Sequence, residues 1–143
     1  MNKTWVVTAE SSRARIFAAE SRVGPMSEVE DFAHTEGRAK EQDLVADKSG
    51  RGFDGMVEGR HGMEKPFDAR HHEAVAFARR IAERIELART RGEFGQLVLV
   101  AAPEFLGILR QQLSSHASRM VSKTVDKNLV LRQESEIRSY VFD

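Results

Sequence analysis

The stretch "QLVLVAA", Gln96 to Ala102, decides the fold. Its apolar residues are continuous rather than alternating, and valines recur among them. A strand of this kind is buried on both faces, as happens where helices cover both sides of a sheet. Pro103 follows at once, and proline is typical of the first turn of a helix. The stretch therefore predicts the central strand of an α/β fold, followed by a helix over 103–113.

A long amphipathic helix is predicted just before this strand. Pro66 and Asp68 provide a start signal, because Asp is a frequent N-cap, and Gly92 provides a stop. Between them, apolar residues recur at spacings of three and four, which places them on one buried stripe. These residues are Ala74, Phe77, Ala78, Ile81, Ile85 and Ala88.

Three further strands are predicted at the N-terminus, over 4–9, 13–20 and 26–34. Their β-branched and alternating residues and short turns indicate an antiparallel meander. In the third strand, Met26 and Phe32 are an even number of residues apart, so we expect them on the same face.

The remaining elements complete an α/β order. A last strand is predicted over 120–125 and a last helix over 134–141. The order β-β-β-loop-α-β-α-β-α predicts a mixed five-stranded sheet with helices on its faces. This is the order of ribonuclease-H-like folds, and we expect one domain over 1–143.

Composition excludes several classes of protein. Lys plus Arg and Asp plus Glu number 22 each, so a nucleic-acid partner would need a local basic patch. There is no cysteine, which excludes disulfides and thiolate chemistry. The N-terminus lacks the pattern of a signal peptide, and no apolar stretch approaches the ~20 residues of a membrane span. We therefore expect a cytoplasmic protein with no membrane partner.

A glycine-rich stretch, "SGRGFDGMVEGRHGMEK", lies at 49–65 and contains a literal G-x-G-x-x-G. That pattern binds dinucleotides only between a strand and the helix that receives the pyrophosphate. No clear strand ends at Gly50, and the predicted helix begins only near Asp68, so we expect no nucleotide cofactor. The sequence instead predicts a functional loop at about 47–67.

Metal chemistry has little support in the sequence. The carboxylates that a nuclease of this fold would need are restricted to Glu10, Glu104 and Asp126, which are better read as surface or capping residues. His71 and His72 point about 100° apart on a helix and cannot chelate as an i, i+4 pair. We expect the histidines, which are His34, His61, His71, His72 and His116, to be solvated or capping, and we expect no metal and no cofactor.

Candidate binding residues lie in and beside the loop. Arg51 and Arg60 each adjoin a glycine, so backbone amides could approach a phosphate together with the guanidinium groups. Exposed charges on a loop are the alternative interpretation. The candidate ligand-binding or RNA-binding residues are Gly50, Arg51, Gly52, Phe53, Asp54, Gly59, Arg60, His61, Glu64, His71 and His72.

The succession of motifs resembles a known family. The motifs are "GRGFDG", "GRHGMEK", "HHEAVAFARRIAERIELAR", "LVLVAAPEFLGILRQQL" and "VDKNL", in that order between Trp5 and about Tyr140. They are similar to the bacterial host-attachment protein family, which is in turn similar to the middle domain of archaeal and eukaryotic class-one peptide-chain release factors. The resemblance implies a ribonuclease-H-like fold whose working loop lies between the third strand and the first helix.

In those release factors the loop carries a Gly-Gly-Gln that positions water at the peptidyl-tRNA ester. This sequence has no such motif, and Gln42 lies upstream of the glycine cluster. The first hypothesis is therefore a module that binds RNA, a tRNA or the ribosome through the loop. The second is an ester or phosphoester hydrolase with His61 or His71 as base and Asp54 or Glu64 orienting it. The third is a regulatory module with a protein partner in surface attachment.

Overall fold

The protein is described by a computed structural model that covers residues 3–34 and 59–142, with side chains described from residue 68 onward in the second range. Its helices and strands follow the predicted order, with one short helix added. They are β1 (Thr4–Glu10), β2 (Arg13–Ala19), β3 (Ser27–Ala33), α1 (Gly59–Thr90), β4 (Gln96–Val100), α2 (Pro103–Gln112), α3 (Ser115–Arg119), β5 (Val121–Val125) and α4 (Glu134–Phe142).

The strands of the described residues form one mixed sheet. Its order is β3-β2-β1-β4-β5. β2 pairs antiparallel with β1 and β3, whereas β4 pairs parallel with β1 and β5. The predicted mixed five-stranded sheet is therefore confirmed, and its order fits the ribonuclease-H-like arrangement.

Helices cover both faces of the sheet. On one face, Trp5, Val7 and Ile16 pack against the buried stripe of α1 and against α2 and α3. On the other face, Val6, Phe17 and Val98 pack against Leu129 and against the buried residues of α4. Alternation along each strand divides the apolar residues between two cores, and β4, which lies inside the sheet, is apolar on both faces as predicted.

The third strand departs from the prediction because it contains a β-bulge. Pairing with β2 passes from Glu30 to Glu28 and skips Val29. One extra residue reverses the side-chain alternation on its far side. Met26 accordingly belongs to the core under α4, while Phe32 packs against the core under α1. The expectation that these two residues share a face was wrong.

The first helix begins earlier than predicted. α1 starts at Gly59, so Asp68 lies inside the helix and is not its N-cap. A proline is common in the first turn of a helix and disfavoured in its interior, but here the helix continues through Pro66, so the start signal gave the wrong position. The predicted loop at 47–67 is thus helical from Gly59, and its earlier part lies outside the described residues.

The predicted end of α1 is confirmed at Gly92. Gly92 has φ of 69°, a left-handed value that favours glycine. Its N–H donates to the carbonyl of Arg89 at 3.0 Å, and the N–H of Glu93 donates to the carbonyl of Ala88 at 2.9 Å. These two bonds form a Schellman cap, which satisfies the last carbonyls of the helix.

Candidate functional site at the carboxyl edge of the sheet

Strand direction brings several chain segments to one edge of the sheet. β1, β3, β4 and β5 all run the same way, because β2 is antiparallel to both of its neighbours. We call the edge where these four strands end the carboxyl edge, and the opposite one the amino edge. α1 leads into β4, so its N-terminal end lies toward the carboxyl edge. In α/β sheets, ligands bind at such an edge.

A buried histidine marks the end of β3 at this edge. His34 is 3% exposed, and its main-chain N–H donates to the carbonyl of Ser12 at 2.9 Å. Its Nε2 lies 2.7 Å from Oε1 of Glu73, a residue of α1. The side chain of Glu73 is 19% exposed. This hydrogen bond therefore ties the point where the chain leaves the sheet to the helix that returns it.

The rest of the His34 ring is held by aromatic packing. Its centroid lies 5.3 Å from that of Phe77, which also contacts Phe32 at 5.7 Å and Phe105 at 6.4 Å. Nδ1 is buried and has no hydrogen-bond partner among the described residues. Because Nε2 faces the carboxylate, Nδ1 is the ring nitrogen left to accept a proton. The expectation that His34 is solvated or capping was wrong, since Glu73 supplies the partner that lets the ring be buried.

An exposed group of side chains lies near this buried pair on α1. Of the described side chains on α1, the first buried one is Ala74. Arg70, His71 and His72 precede it and are exposed. By length α1 spans about 48 Å, whereas a strand such as β4 spans about 17 Å. The helix is therefore longer than the sheet it covers, and we call its segment 59–72 the α1 arm.

The predicted site residues are distributed over three regions. Gly50, Arg51, Gly52, Phe53 and Asp54 lie outside the described residues. Gly59, Arg60, His61 and Glu64 lie in the first turns of α1, where the backbone alone is described. The rings of His71 and His72 are exposed, with centroids 6.4 Å apart.

Carboxylates at the carboxyl edge do not converge in the described part of the chain. Glu10 accepts a hydrogen bond from Nδ2 of Asn128 at 3.2 Å, while Glu104 and Asp126 are exposed. No group of three or more His, Asp or Glu side chains placed to hold a metal ion occurs in the ranges described.

An open cleft of the described surface lies elsewhere. It has a volume of about 290 Å³ and borders the N-terminal end of β1 and the turn after α1. Its walls include Trp5, Val29 and the paired charges Lys3 and Glu20, whose Nζ and Oε2 atoms are 3.4 Å apart. Because this cleft lies at the amino edge, at the opposite end of the sheet from the His34–Glu73 pair, we do not assign the site to it.

The fold is that of an α/β protein with a mixed five-stranded sheet. A model of the family described as proteins required for attachment to host cells matches residues 5–141. The chain belongs to this family. It is also similar to an uncharacterized protein of Rickettsia prowazekii (strain Madrid E), with 30% identity over 109 residues, or 76% of this chain and 69% of the relative. Among the described helices, none has the length and apolar character needed to span a membrane.

Proposed function

We propose that this host-attachment-family protein is an RNA-binding domain that engages the ribosome or a tRNA through the α1 arm and the segment before it. The observation that carries the proposal is the exposure of Arg70, His71 and His72 at the carboxyl edge. Single-stranded RNA is recognised by stacking on aromatic rings, histidine included, and by arginine contacts to phosphate. The α1 arm presents both kinds of group side by side.

Charge supports the same use of Arg70. Arg70 makes no ion pair with any described residue, whereas Arg13 and Arg15 near the same edge are held by Asp31 and Glu28 at 2.8 and 3.0 Å. A guanidinium without a carboxylate partner keeps its donors available for a phosphate. The guanidinium groups of Arg13 and Arg15 are instead paired with carboxylates of β3.

Topology also supports this proposal. The segment 35–58 joins β3 to α1, the place that carries the working loop in the release factors whose middle domain this family resembles. The His34–Glu73 hydrogen bond fixes the sheet end of that connection against α1. The end of β3, from which that segment departs, is thus fixed to α1 by a 2.7 Å contact between Nε2 of His34 and Oε1 of Glu73.

Co-sedimentation with purified bacterial ribosomes tests the proposal. We expect binding that weakens as salt rises, because phosphate contacts release counterions. Binding should fall in the Arg51→Ala/Arg60→Ala double variant and in Arg70→Ala, and should persist in Arg13→Ala. Equal binding by all of these variants, or none by the unmodified protein, would refute the proposal.

Ester or phosphoester hydrolysis is the second candidate function, and one observation favours it. The His34–Glu73 pair resembles a general base and its orienting carboxylate, and Nδ1, which is buried in this structure, would have to become exposed for a substrate to reach it. Here the sequence-based choice of His61 or His71 would be replaced by His34. A panel of aryl esters and phosphoesters tests it, and activity that survives both His34→Gln and His71→Ala would remove these histidines from the mechanism.

A further inference from the structure

Three arginines gather at the amino edge, opposite the α1 arm. Arg91 directly follows α1, Arg110 lies in the last turn of α2, and Arg119 ends α3 just before β5. All three are exposed. Because neighbouring strands lie about 4.8 Å apart, the N-terminal ends of β1, β4 and β5 span only about 10 Å. The helix ends that carry these arginines therefore lie along one edge of the sheet.

A hydrogen bond links the elements of this region. Oγ of Ser114, the N-cap of α3, donates to Oε1 of Glu86 on α1 at 2.8 Å. Oγ also accepts from the main-chain N–H of Ala117 at 3.0 Å. The junction between α2 and α3 is thus fixed against the last turns of α1. Arg110 and Arg119 flank that junction in the chain, so their backbones are held in place relative to Arg91.

The carboxylates near the amino edge are already paired. Glu86 accepts from Nε and Nη2 of Arg89 at 3.1 and 2.6 Å. Glu93 lies 4.0 Å from Arg84, and Glu20 lies 3.4 Å from Lys3. Neither Arg91, Arg110 nor Arg119 makes an ion pair with a described residue. The pairing of Glu86 is also reflected in its pKa, which hydrogen bonds from Arg89 and Ser114 lower to about 2.

We propose that Arg91, Arg110 and Arg119 form a phosphate-binding surface, called the amino-edge patch, that holds the RNA backbone while the α1 arm contacts the same RNA at a distant point. This inference rests on the proposed function and extends it. Among the described side chains, those of Asp68, Glu104 and Asp126 are exposed at the carboxyl edge and weaken its attraction for a polyanion. In nucleic-acid complexes, phosphate contacts set position and other contacts give specificity. The amino-edge patch would position the RNA, and the α1 arm would make the contacts that give specificity.

The alternative interpretation of the three arginines is structural. Cations in the last turn of a helix offset the negative end of its dipole and stabilise the helix. That effect fades beyond the last turn and needs no partner. It predicts a loss of thermal stability on substitution and no change in RNA affinity, so the two interpretations can be separated.

The test is fluorescence anisotropy with a fluorescein-labelled, unstructured 20-nucleotide RNA, measured from 50 to 200 mM KCl. Replacing the patch by R91Q/R110Q/R119Q removes three phosphate contacts, which should reduce the log–log salt slope by about 2 at ~0.7 per contact. Over this fourfold salt range the unmodified protein should lose about twentyfold more affinity than the variant. The matching lysine variant, R91K/R110K/R119K, should keep most of the slope because it keeps the charge.

A control with the same charge change is available on the opposite face. K127Q/R132Q/R138Q removes three cations between the end of β5 and the middle of α4, where Arg132 pairs with Glu136 and Arg138 lies 4.0 Å from Glu134. This control should keep the full slope. An amino-edge variant that binds RNA with an unchanged slope would overturn the patch while leaving the proposed function intact. No RNA binding by the unmodified protein would overturn both, and equally tight binding of polyglutamate would reassign the patch to an acidic protein.

Discussion

Breaking the His34–Glu73 hydrogen bond should measurably loosen α1 from the sheet. The bond is 2.7 Å long, His34 is 3% exposed and the carboxylate side chain is 19% exposed. In either protonation state Nε2–H can donate to the carboxylate. Hydrogen bonds to charged groups contribute about 1.5–3 kcal/mol, and partial exposure of Glu73 favours the lower half of that range. We therefore expect a coupling free energy of about 2 kcal/mol.

A double-mutant cycle with His34→Leu, Glu73→Ala and the combined variant isolates this value, measured by urea unfolding at pH 7.5. Any other contact of Glu73 cancels, because it is lost in both His34 backgrounds. With a urea m-value of about 1.5 kcal/mol/M, the coupling corresponds to a midpoint shift of about 1.3 M. Glu73→Gln, which keeps an acceptor oxygen, should lose less than Glu73→Ala. A coupling free energy below about 0.5 kcal/mol would refute the reasoning that the His34–Glu73 pair fixes α1 to the end of β3.

Three other perturbations have expected outcomes. Phe77→Ala should reduce the free energy of unfolding by about 3–5 kcal/mol, because the ring is fully buried against Phe32 and Phe105. Phe77→Leu should reduce it clearly less, and equal losses in the two variants would contradict this packing. Gly92→Ala should lose about 1–2 kcal/mol, because φ of 69° disfavours a side chain, and unchanged urea stability would contradict the Schellman cap. Because the pKa of Glu86 is lowered to about 2, its stabilising effect is complete above about pH 4.5 and is lost as the pH falls toward 2. The Tm difference between the unmodified protein and Glu86→Gln should therefore shrink over that interval. A Tm difference that stays constant with pH would refute the stabilising role of the Glu86 carboxylate.

Periodicity predicted most of the fold because the sheet and helices have strongly patterned interiors. The unbroken apolar run of β4 could belong only to a strand covered on both faces, and Gly92 could be read directly as a helix stop. The β-bulge at Val29 could not be predicted, since an inserted residue changes pairing without changing composition. The start of α1 was predicted too late because Pro66 was interpreted as a residue of the first helical turn, whereas it lies inside the helix.

Less of the candidate site than of the fold could be predicted from the sequence. His34 and Glu73 are 39 residues apart, and nothing local to either residue marks them as partners. The signal that could have found them is the position of a histidine at the end of a strand, opposite a long helix with a carboxylate beside its apolar stripe. The short helix α3 was missed as well, although Ser114 is a typical N-cap residue. The arginines of the amino-edge patch are far apart in sequence, and the parallel strand order brings the helix ends that carry them to the same edge of the sheet.

Amide chemical-shift mapping of the ¹⁵N-labelled protein with the 20-nucleotide RNA tests the central claim, RNA binding through both edges, most directly. We predict that added RNA shifts the amide signals of Arg70, His71 and His72 on the α1 arm, together with those around Arg91, Arg110 and Arg119. The signals of β3 and α4 should stay unchanged at the same RNA concentration. Absence of any shift, or shifts confined to α4, would contradict the claim that this domain binds RNA through these surfaces.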